Sequence, residues 1–230
     1  IVTDGLVLCL DAANVKSYPS NRVGGSVDIN SELTTWTDLK GTNNGTLTNM
    51  DGFNYSDDGG GSLVLDGTNE YIDLGDPSSN FFSSIAGTDQ VSIGGWFKNN
   101  TTISSQKIIF DSGNSEKLQI DVRSTGIAFL TICSSTVRIS QHSMTTGVWY
   151  HFMGTYNGSK MIGYINGVKY TESSQSGNFG SDSNFSAIGR YPINTSYMWP
   201  GSVSGFVVYN RSLTADEILQ NYLATRGRFA

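Results

Sequence analysis

The sequence predicts an all-β chain folded as a two-sheet antiparallel sandwich with a short C-terminal helix. Three observations carry this. From Val148 to Gly167 the chain reads VWYHFMGTYNGSKMIGYING, two strand-like runs ended by Asn157-Gly158 and Asn166-Gly167, the dipeptides that best tolerate the positive φ angles of tight hairpin turns. Short apolar runs recur along the rest of the chain between clusters of Gly, Ser, Thr and Asn, with only 15% of residues charged and 27 glycines, as expected for many short strands joined by polar turns. The one sustained helical pattern comes after Leu213.

The first strand is expected near Gly5 to Leu10, and the segment from Asn14 to Asp58 is turn-rich. Strands follow near Ser62 to Leu65, Tyr71 to Leu74, Val91 to Lys98, Lys107 to Phe110, Leu118 to Val122, Ile127 to Ile132 and Val137 to Ser140, with a short helical turn within Pro77 to Ile85. After the Val148 to Gly167 meander come Val168 to Thr171, Phe185 to Ile188 and a last strand from Gly201 to Tyr209. In that strand Val203 and Phe206 break the two-residue alternation around Gly205, which predicts a β-bulge. Thr214 and Glu217 have the spacing of a capping box, and Leu213 is placed to staple onto Ile218. Ile218, Leu219, Tyr222 and Leu223 then share the face expected to dock. Beyond Ala224 the chain is expected to fray.

At 230 residues the chain suits one large β-sandwich with a two-sheet core. It is read as a single domain: a leader over 1–61, a jelly-roll core over 62–212 and a helix over 213–224. It shows no fixed-period repeat. It opens on Ile1, so it is expected to be a processed product or the C-terminal part of a longer chain.

The meander also carries a pattern. Trp149, His151, Thr155-Tyr156-Asn157-Gly158 and Tyr164-Ile165-Asn166-Gly167 resemble the W-x-H-x-x-x-T-Y-[DN]-G and Y-[VI]-N-G signatures of the laminin-G-like (concanavalin A-like) jelly-roll superfamily. Leu65-Asp66-Gly67 with Tyr71-Ile72-Asp73-Leu74, the strand Val91 to Lys98, Ala187-Ile188-Gly189, and Gly201-Ser202-Val203 through Tyr209-Asn210-Arg211-Ser212-Leu213 are similar to its other marks, in family order over about residues 62 to 224. Gly5 to Asn14, Ser17-Tyr18-Pro19, Trp36-Thr37-Asp38-Leu39 and Asn44-Gly45-Thr46-Leu47 resemble the leader that precedes this jelly roll in many bacteriophage virion proteins.

Several functions are disfavoured. A net charge of −6 lacks the basic stripe that neutralises phosphates, so no nucleic-acid partner is expected. No apolar run approaches the roughly 20 residues of a membrane span, and membrane insertion is not expected. Cys9 and Cys133 lie in apolar strand-like runs and are read as buried free thiols. Laminarinase-type hydrolases of this superfamily place catalytic carboxylates at i and i+2 on one strand, facing one cleft. No two carboxylates here stand two residues apart, and Glu116 and Asp121 are separated by an odd spacing of five. His142 and His151 form no zinc motif, and His151 is read as a hydrogen-bonded structural residue. No G-x-S-x-G elbow or P-loop is present. No enzyme is expected.

Two sites are proposed from the residues. Calcium is the one metal considered, since relatives in the superfamily often bind it at the sandwich rim. Asp111, Asn114 and Glu116 offer oxygen donors at near-alternating spacing after a strand, against the competing reading of an Asx turn. Sugar binding needs partly exposed aromatic faces beside hydrogen-bonding groups. The long loop from Arg190 to Trp199, with Tyr191, Asn194 and Tyr197, fits best, while Trp36, Trp96 and Trp149 are read as core. Asn44, Asn157 and Asn210 head Asn-x-Ser/Thr sequons that reflect turn composition.

The leading reading is a non-enzymatic module on the virion surface, a capsid decoration, head fibre or tail-associated adhesin. Its partners would be other virion proteins and cell-surface carbohydrate, with homo-oligomerisation open. The alternatives are a free carbohydrate-binding module and, third, a glycoside hydrolase.

Overall fold

The structure, a computed structural model, describes residues 1–19, 21–23, 26–28, 34–51, 54–114, 117–132 and 136–229. In the N-terminal third lie β1 (Leu6–Asp11), β2 (Asn21–Val23), β3 (Ser26–Asp28), β4 (Thr35–Trp36), β5 (Gly45–Thr48), β6 (Tyr55–Ser56), β7 (Ser62–Val64) and β8 (Tyr71–Asp73). Next come β9 (Gln90–Asn99), β10 (Lys107–Asp111), β11 (Leu118–Arg123), β12 (Gly126–Ile132) and β13 (Thr136–Arg138). The last group is β14 (Trp149–Asn157), β15 (Lys160–Ile165), β16 (Val168–Ser174), β17 (Ala187–Ile188), β18 (Gly201–Tyr209) and the helix α1 (Ala215–Thr225).

Two eight-stranded antiparallel sheets form the sandwich. The first runs β16-β15-β14-β9-β18-β7-β6, with β1 pairing on β18 beyond β7. The second runs β13-β12-β11-β10-β17-β8-β5-β4, while β2 and β3 pair only with each other. Alternation sends Phe97, Phe152, Tyr156 and Phe206 of the first sheet inward against Phe110, Ile120, Val122 and Phe129 of the second. Glycine makes room for this interdigitation. A Cβ at Gly154 of β14 would stand 2.6 Å from the Phe129 ring, and one at Gly163 of β15 would stand 2.6 Å from Ile139.

The first sheet is buried on its other face as well. Cys9, Met153, Tyr164 and Tyr209 pack there with Leu6, Leu213 and Ile218 in a second apolar cluster, which α1 covers. The helix begins as its sequence requires: the Thr214 hydroxyl accepts from the Glu217 amide, and the Glu217 carboxylate accepts from the Thr214 amide. The Arg211 guanidinium, bound at 2.6 and 3.0 Å, holds the Glu217 carboxyl down at about 2.

Two expectations for this region are corrected. Leu219 and Leu223 are 39% and 46% exposed, and the buried positions of α1 are Ile218 and Asn221. The reason is a polar clamp on the N-terminus. Asn221 accepts from the Val2 amide (2.8 Å) and donates to the Tyr209 hydroxyl (3.0 Å), which itself donates to the Val2 carbonyl (3.1 Å). The chain after Ala224 does not fray, because Arg226–Arg228 forms a 3-10 turn, Arg228 forks onto Asp11 (2.7 and 3.0 Å) and Phe229 stacks on Trp96.

The bulge in β18 is present, with the register shifting between Val203 and Gly205. The turn-rich leader carries five short strands that its sequence did not mark. Trp36 is fully buried, and Asp38 accepts from the Cys9 amide (2.9 Å), which ties the leader to β1. Cys9 is a buried free thiol pushed up to about 11 by burial and then by Asp11 and Asp38. Cys133 lies outside the described residues.

Filling the Gly154 notch should overpack the sandwich. Gly154→Val is expected to cost about 1–3 kcal/mol, read from the urea midpoint, and an unchanged midpoint would show that Phe129 does not rely on the notch.

Candidate functional site

The Arg190 to Trp199 loop crosses the sandwich rim between β17 and β18, and most of its predicted ligand groups are held by the fold. Trp199 is fully buried: its indole N–H donates to Asn99 Oδ1 (2.9 Å) and its ring sits edge-on to Phe97. It is therefore a core residue and offers no face to a ligand, which corrects the expectation of an exposed ring. Arg190 lies over Tyr71 and Phe185, with Cζ at 4.7 and 5.4 Å from the ring centres, and donates to the Pro192 carbonyl (3.2 Å). Asn194 caps the 3-10 turn Thr195–Tyr197 by accepting from the Ser196 amide (2.9 Å). Tyr191 and Tyr197 remain partly exposed, set edge to face at 6.2 Å. Tyr191 also reaches the Asn114 carbonyl (3.4 Å), and Lys107 donates to the Ser196 carbonyl (3.1 Å), so the loop is braced against β10 and the turn after it.

That turn holds the candidate metal donors. Asp111 is fully buried, and its carboxylate accepts from the Gly113 amide (2.9 Å) and from Gln119 Nε2 (2.6 Å). Asn114 is exposed, and Glu116 lies outside the described residues. Of the predicted donors, the described residues thus place a buried Asp111 that already accepts one hydrogen bond on each oxygen and an exposed Asn114. Among the described residues, no three metal-ligating side chains converge.

The same face of the second sheet continues as a closed polar network. Asp121, 1% exposed, accepts from Gln106 (2.9 Å) and pairs with Arg138 and Arg123. Asp182 accepts from Ser112 (2.7 Å) and from the Ser183 amide (2.9 Å). Their oxygens are engaged in hydrogen bonds and ion pairs, an arrangement that holds strands together and differs from a solvent-facing acid and base.

A second aromatic surface lies on the outer face of the first sheet. Across four strands, His151, Trp96, Gly205 and Asp11 stand in one register row, so the side chains of His151, Trp96 and Asp11 point the same way. Trp96 donates to the Thr225 hydroxyl (2.9 Å), and Phe229 stacks on it with ring centres 3.8 Å apart. Phe229 also meets Trp149 at 5.2 Å. The turn at Gly59 shapes itself to this ring: with φ 68, a Cβ there would fall 2.5 Å from Phe229 Cε1. A groove of about 470 Å³ opens beside the cluster, lined by Trp149, Tyr222, Phe229, Asn166 and Arg226 among others. Reading Trp149 as core missed this, since it is only partly buried. The W-x-H alternation and the lone aromatic at the chain end were the available signals.

His151 sits under this surface, 3% exposed, between Trp96 and Tyr222. Its Nδ1 finds no hydrogen-bond partner among the described residues, so the hydrogen bond expected of the ring is not made at this nitrogen. Burial holds its pKa down at about 3. A base depressed on folding adds stability above its unfolded pKa and loses it as pH falls toward the folded value. Stability should therefore drop between pH 6.5 and 3, and His151→Phe should flatten that slope in urea melts across the range. An equal slope in the variant would show that the ring does not titrate this way.

The fold and its aromatic surfaces define a lectin-like β-sandwich. The chain belongs to the concanavalin A-like lectin/glucanases superfamily, whose laminin-G model matches residues 66–219. Among solved structures it is similar to domain 4 of AbnA, a GH43 extracellular arabinanase from Geobacillus stearothermophilus, in complex with arabinotriose. That match has 18% identity and a TM-score of 0.65 over 94% of this chain and 97% of the other. It is also similar to Trypanosoma rangeli sialidase in complex with the inhibitor DANA (15%, TM-score 0.64), over 97% of this chain but 33% of the sialidase. The receptor-binding domain of botulinum neurotoxin type G matches at 14% and TM-score 0.63, over 96% of this chain and 51% of that one. No curated protein matches the chain.

Proposed function

We propose that this domain is a non-enzymatic saccharide-binding module whose rim site is built on Tyr191 and Tyr197. The observation that carries the reading is the pair of half-exposed tyrosines braced edge to face beside the exposed polar groups of Asn194, Ser196 and Asn114. Such a pair presents an apolar ring face and hydroxyl groups together, which suits a sugar's C–H face and its hydroxyls. Superfamily membership supports it, as does the likeness to an arabinanase domain solved with arabinotriose. The engaged state of Asp111, Asp121 and Asp182 supports binding without turnover.

The N-terminal leader's resemblance to phage virion proteins supports display on a particle surface, with capsid or tail proteins as partners. In that setting the rim tyrosines would hold host-surface glycans.

Tyr191→Ala and Tyr197→Ala should each weaken saccharide binding about tenfold or more, read by calorimetry against the glycan that scores highest on an array, with the far-UV β signal unchanged. Undiminished binding in the double variant would reject the rim site. Immunogold labelling of purified source particles should decorate their surface, and label confined to the unassembled fraction would reject display.

A further inference from the structure

We propose that the groove between the outer face of the first sheet and the C-terminal turn is a second binding site, for a saccharide bearing a carboxylate. Its residues are separate from the rim tyrosines, so it goes beyond the reading above. The groove's volume of about 470 Å³ lies within the roughly 300–1,000 Å³ of small-ligand pockets. Trp149 and Phe229 meet at 58°, so they form two walls, and Tyr222 lines the groove beside them. A sugar ring can lay its C–H face on one wall while its polar edge points outward.

The polar groups on the groove select the ligand's charge. Asn166 spends its Oδ1 on the His151 amide (3.0 Å), which leaves its Nδ2 as a donor on the groove. Arg226 is exposed, with its Cζ 6.0 Å from the Tyr222 ring centre, and among the described residues it has no carboxylate partner. The neighbouring cations are committed elsewhere, Lys98 to Asp58 and Arg228 to Asp11. The polar lining thus offers donors at Asn166 and Arg226, and the ligand must supply acceptors. A carboxylate answers the planar guanidinium fork with two parallel hydrogen bonds. The whole chain carries −6, so its overall field repels an anion. Attraction to one must come from this local pair, at short range and screened by salt.

The test uses the full chain and a panel of oligosaccharides containing glucuronic, galacturonic, mannuronic or N-acetylneuraminic acid, each beside its carboxyl-reduced form. Binding is followed by calorimetry at low salt and by the Trp149 indole N–H resonance. At least one acidic sugar should bind about tenfold more tightly than its reduced form and shift the indole signal. Arg226→Gln, a surface change, should erase that difference, and the Tyr191→Ala/Tyr197→Ala variant should keep it. Acidic and reduced forms binding alike, or discrimination surviving in Arg226→Gln, overturns the proposal. So does loss of the difference in the tyrosine variant, which would place the acid at the rim and leave the rim reading standing. No binding by any member overturns this site, and neutral glycans on the array then decide the rim separately.

Discussion

The rest of this structure depends on one constraint: the central strands of the first sheet are buried on both faces, and only one face can meet the second sheet. β9 is buried at nearly every position along its length, which alternation forbids for a sheet with one wet face. The outer cluster around Cys9, Met153 and Tyr209 must therefore be covered from elsewhere in the chain. The helix α1 supplies the cover, and the turn after it extends the cover to Trp96. Because Asn221 also receives the Val2 amide, both ends of the chain are drawn onto this face. The groove walls at Phe229 and Tyr222 exist only because that docking occurs.

The second sheet solves the opposite problem. Its outer face carries charged groups that are nonetheless buried, Asp111 and Asp121 among them: Asp111 on β10 accepts from Gln119 on β11, and Asp121 is met by Gln106 before β10, by Arg123 of its own strand and by Arg138 on β13. Such pairs contribute little net stability, because desolvation offsets much of their attraction, but leaving one partner unmatched is costly. The network therefore acts to hold β10, β11 and β13 in one arrangement. A fixed β10 in turn gives the rim loop a firm base, through Lys107 and the turn at Asn114. The proposed rim site sits where a rigid sheet ends and a braced loop begins.

Much of the fold was legible in the sequence because its strands announce themselves locally. Asn157-Gly158 and Asn166-Gly167 set the hairpins, and Val203-Ser204-Gly205-Phe206 exposed its bulge through a broken alternation. What could not be read were pairings between distant segments. The two- to four-residue strands of the leader are too short to show periodicity, and they gain order from tertiary partners such as Cys9 with Asp38. Helical periodicity grouped Leu219 and Leu223 with Ile218, yet a buried Asn221 turned the helix, since its amide satisfies two groups 219 and 12 residues away in sequence. The site was read least well. Trp199 lies in a loop and is core, while Phe229 lies in an apparent tail and is the stacking partner of Trp96. Exposure is decided by what lands on a residue, and that is a property of the whole fold.

Native-state hydrogen exchange on the intact chain tests the covering of the first sheet most directly. If the C-terminal segment is an integral layer, amides of α1 and the Phe229 amide, which donates to the Arg226 carbonyl, should exchange as slowly as those of β14 or within a modest factor of them. Exchange of residues 215–229 at free-peptide rates, while β14 stays protected, would show that the outer face holds without its cover and would contradict the account.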